Sequence, residues 1–311
     1  MKKTPVIIDC DPGYDDALAL VLALGNEALD VRAITAVAGN VPLERTYKNV
    51  VRICQYFDKK VRIGSGAVKP LVRDLECGEM VHSPSGLGGV TIPEEVSMPK
   101  KENAIEVIQS VLEESDEKVT IIAIGPLTNI ALFVSQYPEM SKRIQEIVIM
   151  GGAAREGNRT ASAEFNIYAD AEAARIVFES GIPVVMAGLD VTNAFQIMPE
   201  TFSDYRSMGK TGVFVSQVLE RYFDFYQTLG GKFKGPAIHD MVPVAYVIDP
   251  SVCHAKEYHV DVECHGEFTY GRTVVDFGEM NPNKNVKVLF ESDHEKIIDM
   301  FKKSIDQLNQ V

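Results

Sequence analysis

The chain has 311 residues, 46% hydrophobic and 24% charged, the composition of a globular protein long enough to bury a sizeable core without staples. Its 31 basic against 44 acidic side chains leave a net charge of −13, which disfavours nucleic acid polymers and acidic membranes as partners. The apolar runs near the start, Val6 to Ile8 and Ala17 to Leu24, are too short for a signal peptide and a membrane span respectively.

In chain order, residues 6–9 predict a short apolar strand and residues 15–24 a helix. Residues 31–37 are β-branched and end at Gly39-Asn40; 43–57 read as helix, 61–64 as strand and 103–114 as helix. Residues 119–124 predict a strand closed by Gly125-Pro126, with a helix over 127–134. A strand over 147–150 ends in Gly151-Gly152, a helix covers 171–179, and a strand over 183–187 leads to Asp190. Beyond that, a long helix over 212–229, a short one over 241–247, strands over 258–263, 273–276 and 286–290, and a final helix near 294–308 follow. The early strands are apolar throughout rather than alternating, as strands covered on both faces are. This pattern predicts an α/β fold: an open, mostly parallel Rossmann-like sheet with helices on both faces and a more irregular C-terminal third. No linker divides it, so residues 1–311 read as one domain. Five scattered cysteines (Cys10, Cys54, Cys77, Cys253, Cys264) contain no CxxC pair and predict reduced thiols in a cytoplasmic protein. Cys253-His254 and Cys264-His265 form a loose repeat around a strand-like stretch, which argues against a zinc site.

The chemistry concentrates in Asp9-Cys10-Asp11-Pro12-Gly13-Tyr14-Asp15-Asp16, four carboxylates in eight residues directly after a strand. Carboxylates this crowded repel one another, and a cation keeps them ionised. An all-oxygen set suits Ca²⁺ or Mg²⁺. Two other readings stand beside it. Asp15 or Asp16 can cap the following helix, and Asp9-x-Asp11 has the spacing of a phosphatase nucleophile and acid, although Gly13 stands where such enzymes usually carry Thr or Val.

In an open α/β sheet, ligands sit beyond the carboxyl ends of the strands. The residues that follow successive strands are Asp11, Asp15 and Asp16; then Asn40; then Thr128 and Asn129; then Gly151-Gly152 with Glu164 and Asn166; then Asp190. Acids and amides gathered in one crevice suit a metal and a polyhydroxylated ligand. No P-loop or GxGxxG is present. His239-Asp240 and the Gly-rich stretch from His82 to Gly89 are further candidates, the latter as a lid. Tyr222, Phe223, Phe225 and Tyr226 share one helix and read as core, with Tyr226 near its end able to stack on a ligand ring.

The opening Asp-Cys-Asp-Pro-Gly-Tyr-Asp-Asp resembles the signature of the inosine-uridine-preferring nucleoside hydrolases. The likeness continues through Ala38-Gly39-Asn40, Gly125 to Asn129, Ile149 to Gly152, Ala163 to Asn166, His239-Asp240 and Tyr270 to Asp276, so it covers nearly the whole chain in order. The resemblance implies hydrolysis of the N-glycosidic bond of ribonucleosides to ribose and free base, with bound Ca²⁺. By position, Asp11, Asp16, the Thr128 carbonyl and Asp240 match the calcium ligands, and Asp11 matches the general base. Asp15, Asn40, Glu164 and Asn166 match ribose-binding residues, with Met150 lining the pocket. His239 matches a residue that assists the departing base, and His82 is tied to the same step in pyrimidine-preferring members. The presence of both histidines implies a preference for uridine and cytidine, with purine activity open. A homotetramer acting in nucleoside salvage is also implied. The sequence departs from the family at Ser83-Pro84, where Gly usually begins the loop, at Gly88, where an acid is common, and at Ala161 and Met241, where Pro is frequent.

Overall fold

The computed structural model describes residues 2–310, apart from the side chains of residues 79 and 80. Its strands are β1 (Thr4–Cys10), β2 (Leu29–Ala36), β3 (Arg62–Ser65), β4 (Glu102–Asn103), β5 (Val119–Ala123), β6 (Ile144–Met150), β7 (Val184–Ala187), β8 (Cys253–Tyr258), β9 (Val260–Val262), β10 (Thr273–Val275) and β11 (Val286–Ser292). Nine of them form one sheet in the order β4-β3-β2-β1-β5-β6-β7-β11-β8, while β9 and β10 pair with each other. The large sheet is parallel except at its edge, where β8 runs antiparallel to β11.

The helices are α1 (Tyr14–Gly25), α2 (Leu43–Tyr56), α3 (Glu79–His82), α4 (Ala104–Glu114), α5 (Thr128–Gln136), α6 (Phe165–Ala169), α7 (Ala171–Phe178), α8 (Leu189–Thr192), α9 (Phe202–Arg206), α10 (Gly209–Gln227), α11 (Met241–Ile248) and α12 (His294–Leu308). The sheet is covered on both faces. Ile8, Ile34, Ile122 and Val148 pack with α1, α2, α10, α11 and α12. Their neighbours Ile7, Ala33, Ile121 and Ile147 turn the other way, onto α4, α5 and α7. This is why the strand centres, such as residues 6–8 and 147–150, are apolar at successive positions: each side chain there meets a helix on one face or the other.

Strand order places the site. From β1 the chain builds outward through β2, β3 and β4, then returns to the other side of β1 with β5, β6 and β7. The connections after β1 and β5 therefore part company, leaving a crevice at the carboxyl ends of these two central strands. The acidic motif begins at the tip of β1 and Thr128 opens the helix after β5.

The C-terminal third is more integral than the sequence implies. β11 lies inside the sheet, parallel to β7, and α12 packs against α1, where the Ser304 hydroxyl donates to the Leu22 carbonyl at 3.1 Å. The single strand expected over 258–263 divides at His259, whose imidazole bonds the Asn283 carbonyl at 2.7 Å; β8 stays in the large sheet and β9 joins the hairpin.

Candidate active site

The tip of β1 delivers Asp11 into a cradle made by its two neighbouring strands. A Cβ on Gly39, after β2, would overlap Asp11 Oδ2, and one on Gly125, after β5, would stand 2.5 Å from Oδ1. Only glycine lets both backbones close on the carboxylate. Asp11 Oδ2 accepts the Asn40 backbone N–H at 2.6 Å, and the Asn40 side chain donates to the Asp11 carbonyl at 3.2 Å and to Asp16 Oδ2 at 3.0 Å. Asp16 also accepts from the backbone N–H groups of Asp11 and Gly13, at 3.1 and 3.0 Å. It therefore holds the first turn of α1 and belongs to the acidic site as well. The capping reading and the site reading describe the same residue.

Asp15, Asp16 and Asp240 each present an oxygen within 4.8 Å of the others, and among the described residues they are the one group of three or more side chains able to hold a metal. Asp11 Oδ1 is buried with no hydrogen-bond partner. Burial, then mutual repulsion, pushes Asp11 and Asp240 well above the usual carboxylate range and Asp15 to about 8; burial alone lifts Asp16 to about 6 against its hydrogen bonds. Hard, oxygen-only donors around an unpartnered buried oxygen fit a divalent cation. Asp9, by contrast, faces away. Its Oδ1 accepts from the Thr35 hydroxyl and from Asn129 Nδ2, the latter at 2.8 Å, and burial lifts it to about 7. Thr128, beside Asn129, is anchored by its hydroxyl donating to Asp170 Oδ2 at 2.6 Å.

Above the acids opens a cavity of about 350 Å³. One side is polar, formed by Asp15, Asn40, Glu164, Asn166 and Asp240, with the apolar Met150 among them. Glu164 caps α6, accepting from Asn166, Ile167 and Gly152 backbone N–H groups at 2.9, 3.1 and 2.9 Å, and burial lifts its carboxyl to about 7. Asn166 spends its amide hydrogens on the carbonyls of Ile124 and Met150, at 3.0 and 3.1 Å, which leaves its side-chain oxygen as the acceptor.

The other side is aromatic: Tyr222, Phe225, Tyr226 and Phe233, with His82 and His239. His82 Nδ1 accepts the Tyr14 backbone N–H at 3.1 Å, and its ring packs against Tyr14 and Tyr222. The stretch expected as a lid is thus docked against the acidic motif in this structure. Burial pulls His82 down to about 3 and His239 to about 4, so both imidazoles are neutral near pH 7. Ser83, where the family usually has glycine, takes φ 63° and ψ 162°, a conformation strained for a residue with a Cβ. Its hydroxyl is held by the Gly88 N–H at 3.0 Å. The departure at 88 fits this turn, since a Cβ there would stand 2.6 Å from Ser83 Oγ.

The residues singled out from sequence fall into two layers. Asp15, Asn40, His82, Met150, Glu164, Asn166, Tyr226, His239 and Asp240 line the cavity. Asp11, Asp16 and Thr128 are buried residues outside that lining. Asp190, also expected at the crevice, instead accepts the Ala154 N–H at 2.6 Å and holds the turn after β6. Tyr222 and Phe225, read as core, line the cavity, and the Tyr222 hydroxyl donates to Asp15 Oδ2 at 3.2 Å. The spacing of Tyr222 and Tyr226, one turn apart on α10, was the available signal. Asn158, Arg159 and Phe233, in irregular segments, carried none.

The family model described as "Inosine-uridine preferring nucleoside hydrolase" matches residues 6–299. A pyrimidine-specific ribonucleoside hydrolase RihA of Escherichia coli O7:K1 is 44% identical over 299 residues, covering 95% of this chain and 96% of the relative. The RihA of Klebsiella pneumoniae is 43% identical over the same span. Among solved structures, a purine-preferring ribonucleoside hydrolase from Gardnerella vaginalis superposes with a TM-score of 0.92 at 30% identity, over 99% of this chain and all of that one.

The raised carboxyls fix how stability depends on pH. In the unfolded chain an aspartate ionises near 3.8, whereas Asp16 and Asp15 hold their protons in the cation-free fold to about 6 and about 8. Together with the raised Asp9, Asp11, Glu164 and Asp240, they make the folded state bind more protons across that window and outweigh His82 and His239, whose lowered values act the other way below about 6.5, so stability falls as pH rises through it. Chelator-stripped protein is expected to lose thermal stability steadily from pH 5 to pH 8, and added Ca²⁺ to raise Tm more at pH 8 than at pH 5. A stripped protein whose Tm rises over that window would contradict the account of the acids.

Proposed function

The chain belongs to the inosine-uridine preferring nucleoside hydrolase family and is an N-glycosyl hydrolase of ribonucleosides, and from that premise we propose that it prefers pyrimidine nucleosides and works with Ca²⁺ held by Asp11, Asp16, Asp240 and the Thr128 carbonyl. The observation that carries this is the junction of an acid cluster, Asp11, Asp15, Asp16 and Asp240, with a cavity polar on one side and aromatic on the other. A ribose fits the polar side and a base the aromatic side. The name of the relatives at 44% identity and the two histidines on the base side support uridine and cytidine as substrates.

When bound, the cation offsets the crowded carboxylates and lowers the pKa of a water beside the sugar. The protein's own residues do the rest. Asp11, with an unpartnered oxygen, accepts the proton of the attacking water. Asp15, Asn40, Glu164 and Asn166 hold the ribose hydroxyls, and their negative and dipolar groups stabilise the positive charge that grows on the sugar as the C1′–N bond lengthens. On the far side the base leaves with negative charge. His239 and Tyr226 lie 3.1 Å apart there and supply hydrogen-bond donors; with His239 neutral, the assistance is donation of a hydrogen bond rather than delivery of a stored proton. His82 is placed to assist through Nε2, since Nδ1 is committed to Tyr14.

The phosphatase reading is disfavoured by the family match over residues 6–299 and by the placing of Asp9, whose Oδ1 is held by Thr35 and Asn129 and whose unpartnered Oδ2 is buried outside the cavity lining. The single-domain reading is supported by β11 and α12, which complete the same sheet and core as β1 and α1. A cytoplasmic location, on the scattered free cysteines, and a homotetramer acting in nucleoside salvage, on the family resemblance, complete the proposal.

Asp11→Ala is expected to lower uridine hydrolysis at least about 10³-fold while the protein stays folded; near-normal turnover would remove Asp11 as base. Across uridine, cytidine, inosine and adenosine, kcat/KM is expected to favour the two pyrimidines, and a purine at the head of the ranking would overturn the preference. His239→Ala is expected to lower kcat on uridine about 10²–10⁴-fold and far less on p-nitrophenyl riboside, whose leaving group needs no assistance.

A further inference from the structure

Thr192 closes α8, a four-residue helix reached from β7, and is fully buried. A threonine in a helix often turns its hydroxyl back to the preceding turn. Here it lies 2.8 Å from Nδ1 of His239. Across the ring, Nε2 lies 3.1 Å from the Tyr226 hydroxyl, and that hydroxyl is 3.3 Å from the Ala237 carbonyl.

The hydrogens of this chain can run in two directions. In the first, Thr192 donates to a bare Nδ1, the ring proton sits on Nε2 and is donated to the Tyr226 oxygen, and Tyr226 donates to Ala237. In the second, Tyr226 turns its one hydrogen to Nε2, and the ring proton on Nδ1 is donated to Thr192. The second withdraws the Tyr226 donor from the carbonyl of Ala237, a residue with no exposed surface. Leaving such a buried acceptor unsatisfied costs about 1–3 kcal/mol. The first direction keeps every group partnered.

We propose that Thr192 is a positioning residue for base departure, holding His239 as the Nε2–H tautomer so that the donors of His239 and Tyr226 run toward the cavity. This rests on the assignment of His239 to the leaving base. With a nucleoside seated, Tyr226 can turn its hydrogen from Ala237 to the base while its oxygen stays held by Nε2–H, the loss of the Ala237 contact being offset by a stronger hydrogen bond to a base that leaves with negative charge. Tyr226 then donates to the charge developing on the base, and His239 acts through it, its Nε2–H polarising the Tyr226 hydroxyl, with Thr192 orienting the ring as partners of catalytic imidazoles do elsewhere. With valine at 192 the ring loses the group that selects its tautomer, and either nitrogen can carry the proton.

The test compares Thr192→Val, Thr192→Ser and His239→Ala on uridine and on p-nitrophenyl riboside. Thr192→Val keeps shape and removes the donor; it is expected to lower kcat on uridine at least about 10-fold, to stay within about 3-fold on the activated substrate, and to leave KM little changed. Thr192→Ser is expected to restore uridine turnover. Equal losses on both substrates in Thr192→Val, beside a clear split in His239→Ala, would assign Thr192 to packing and overturn the proposal. Equal losses in His239→Ala would instead remove the leaving-group assignment beneath it. Ring ¹⁵N shifts of His239 in the unaltered protein give a reading that needs no folded variant: a bare Nδ1 is expected, and an Nδ1–H tautomer would overturn the proposal.

Discussion

Four carboxylates, Asp11, Asp15, Asp16 and Asp240, are buried close enough to repel one another, and much of the surrounding structure serves to hold them there. Unassisted, such a group would take up protons and give away the charge that hydrolysis requires. The fold answers at three levels. The reversal of strand order beside β1 opens the crevice. Gly39 and Gly125 let the two neighbouring strands close on Asp11. Asn40 and the first turn of α1 supply N–H groups to Asp11 and Asp16. A divalent cation supplies the positive charge that these partial dipoles do not.

The opposite wall follows a different logic. Sugar cleavage moves positive charge onto the ribose and negative charge onto the base, so one half of the cavity must be anionic and the other must donate hydrogen bonds. Tyr222 joins the halves, with its ring in the aromatic wall and its hydroxyl on Asp15. Burial that drives the carboxyls up drives the histidines down, and the same dry environment therefore makes His82 and His239 neutral donors with fixed partners. Orientation then matters more than charge, which places the weight on residues such as Thr192 and Tyr14 that touch the rings from outside the cavity.

Much of this is legible in the sequence, for identifiable reasons. Apolar strands followed by polar residues reveal a parallel sheet and the edge where the cavity opens, because burial on both faces leaves few polar positions inside a strand. Asp11, Asp15, Asp16, Asn40, Glu164 and Asn166 are found this way. The role of Asp9 is not: four carboxylates in eight residues look equivalent in a line of text, and it is the end of β1 at Cys10 that keeps Asp9 inside the sheet against Thr35 and Asn129 while Asp11 lies beyond it. Tyr222 hides because an aromatic residue on a long helix is most often core. Asp190 misleads in the other direction, since a strand-end acid can hold a turn as readily as a ligand. Residues from irregular segments, such as Arg159 and Phe233, carry no periodic signal and reach the cavity through loop geometry alone.

Hydrolysis by these buried acids requires a divalent cation among them. The most direct measurement is calcium content, by elemental analysis, set against uridine cleavage as chelator-stripped protein is titrated with Ca²⁺. No ribose release is expected from the stripped chain, and full activity at one calcium per chain. Full activity in protein free of any divalent metal would contradict it.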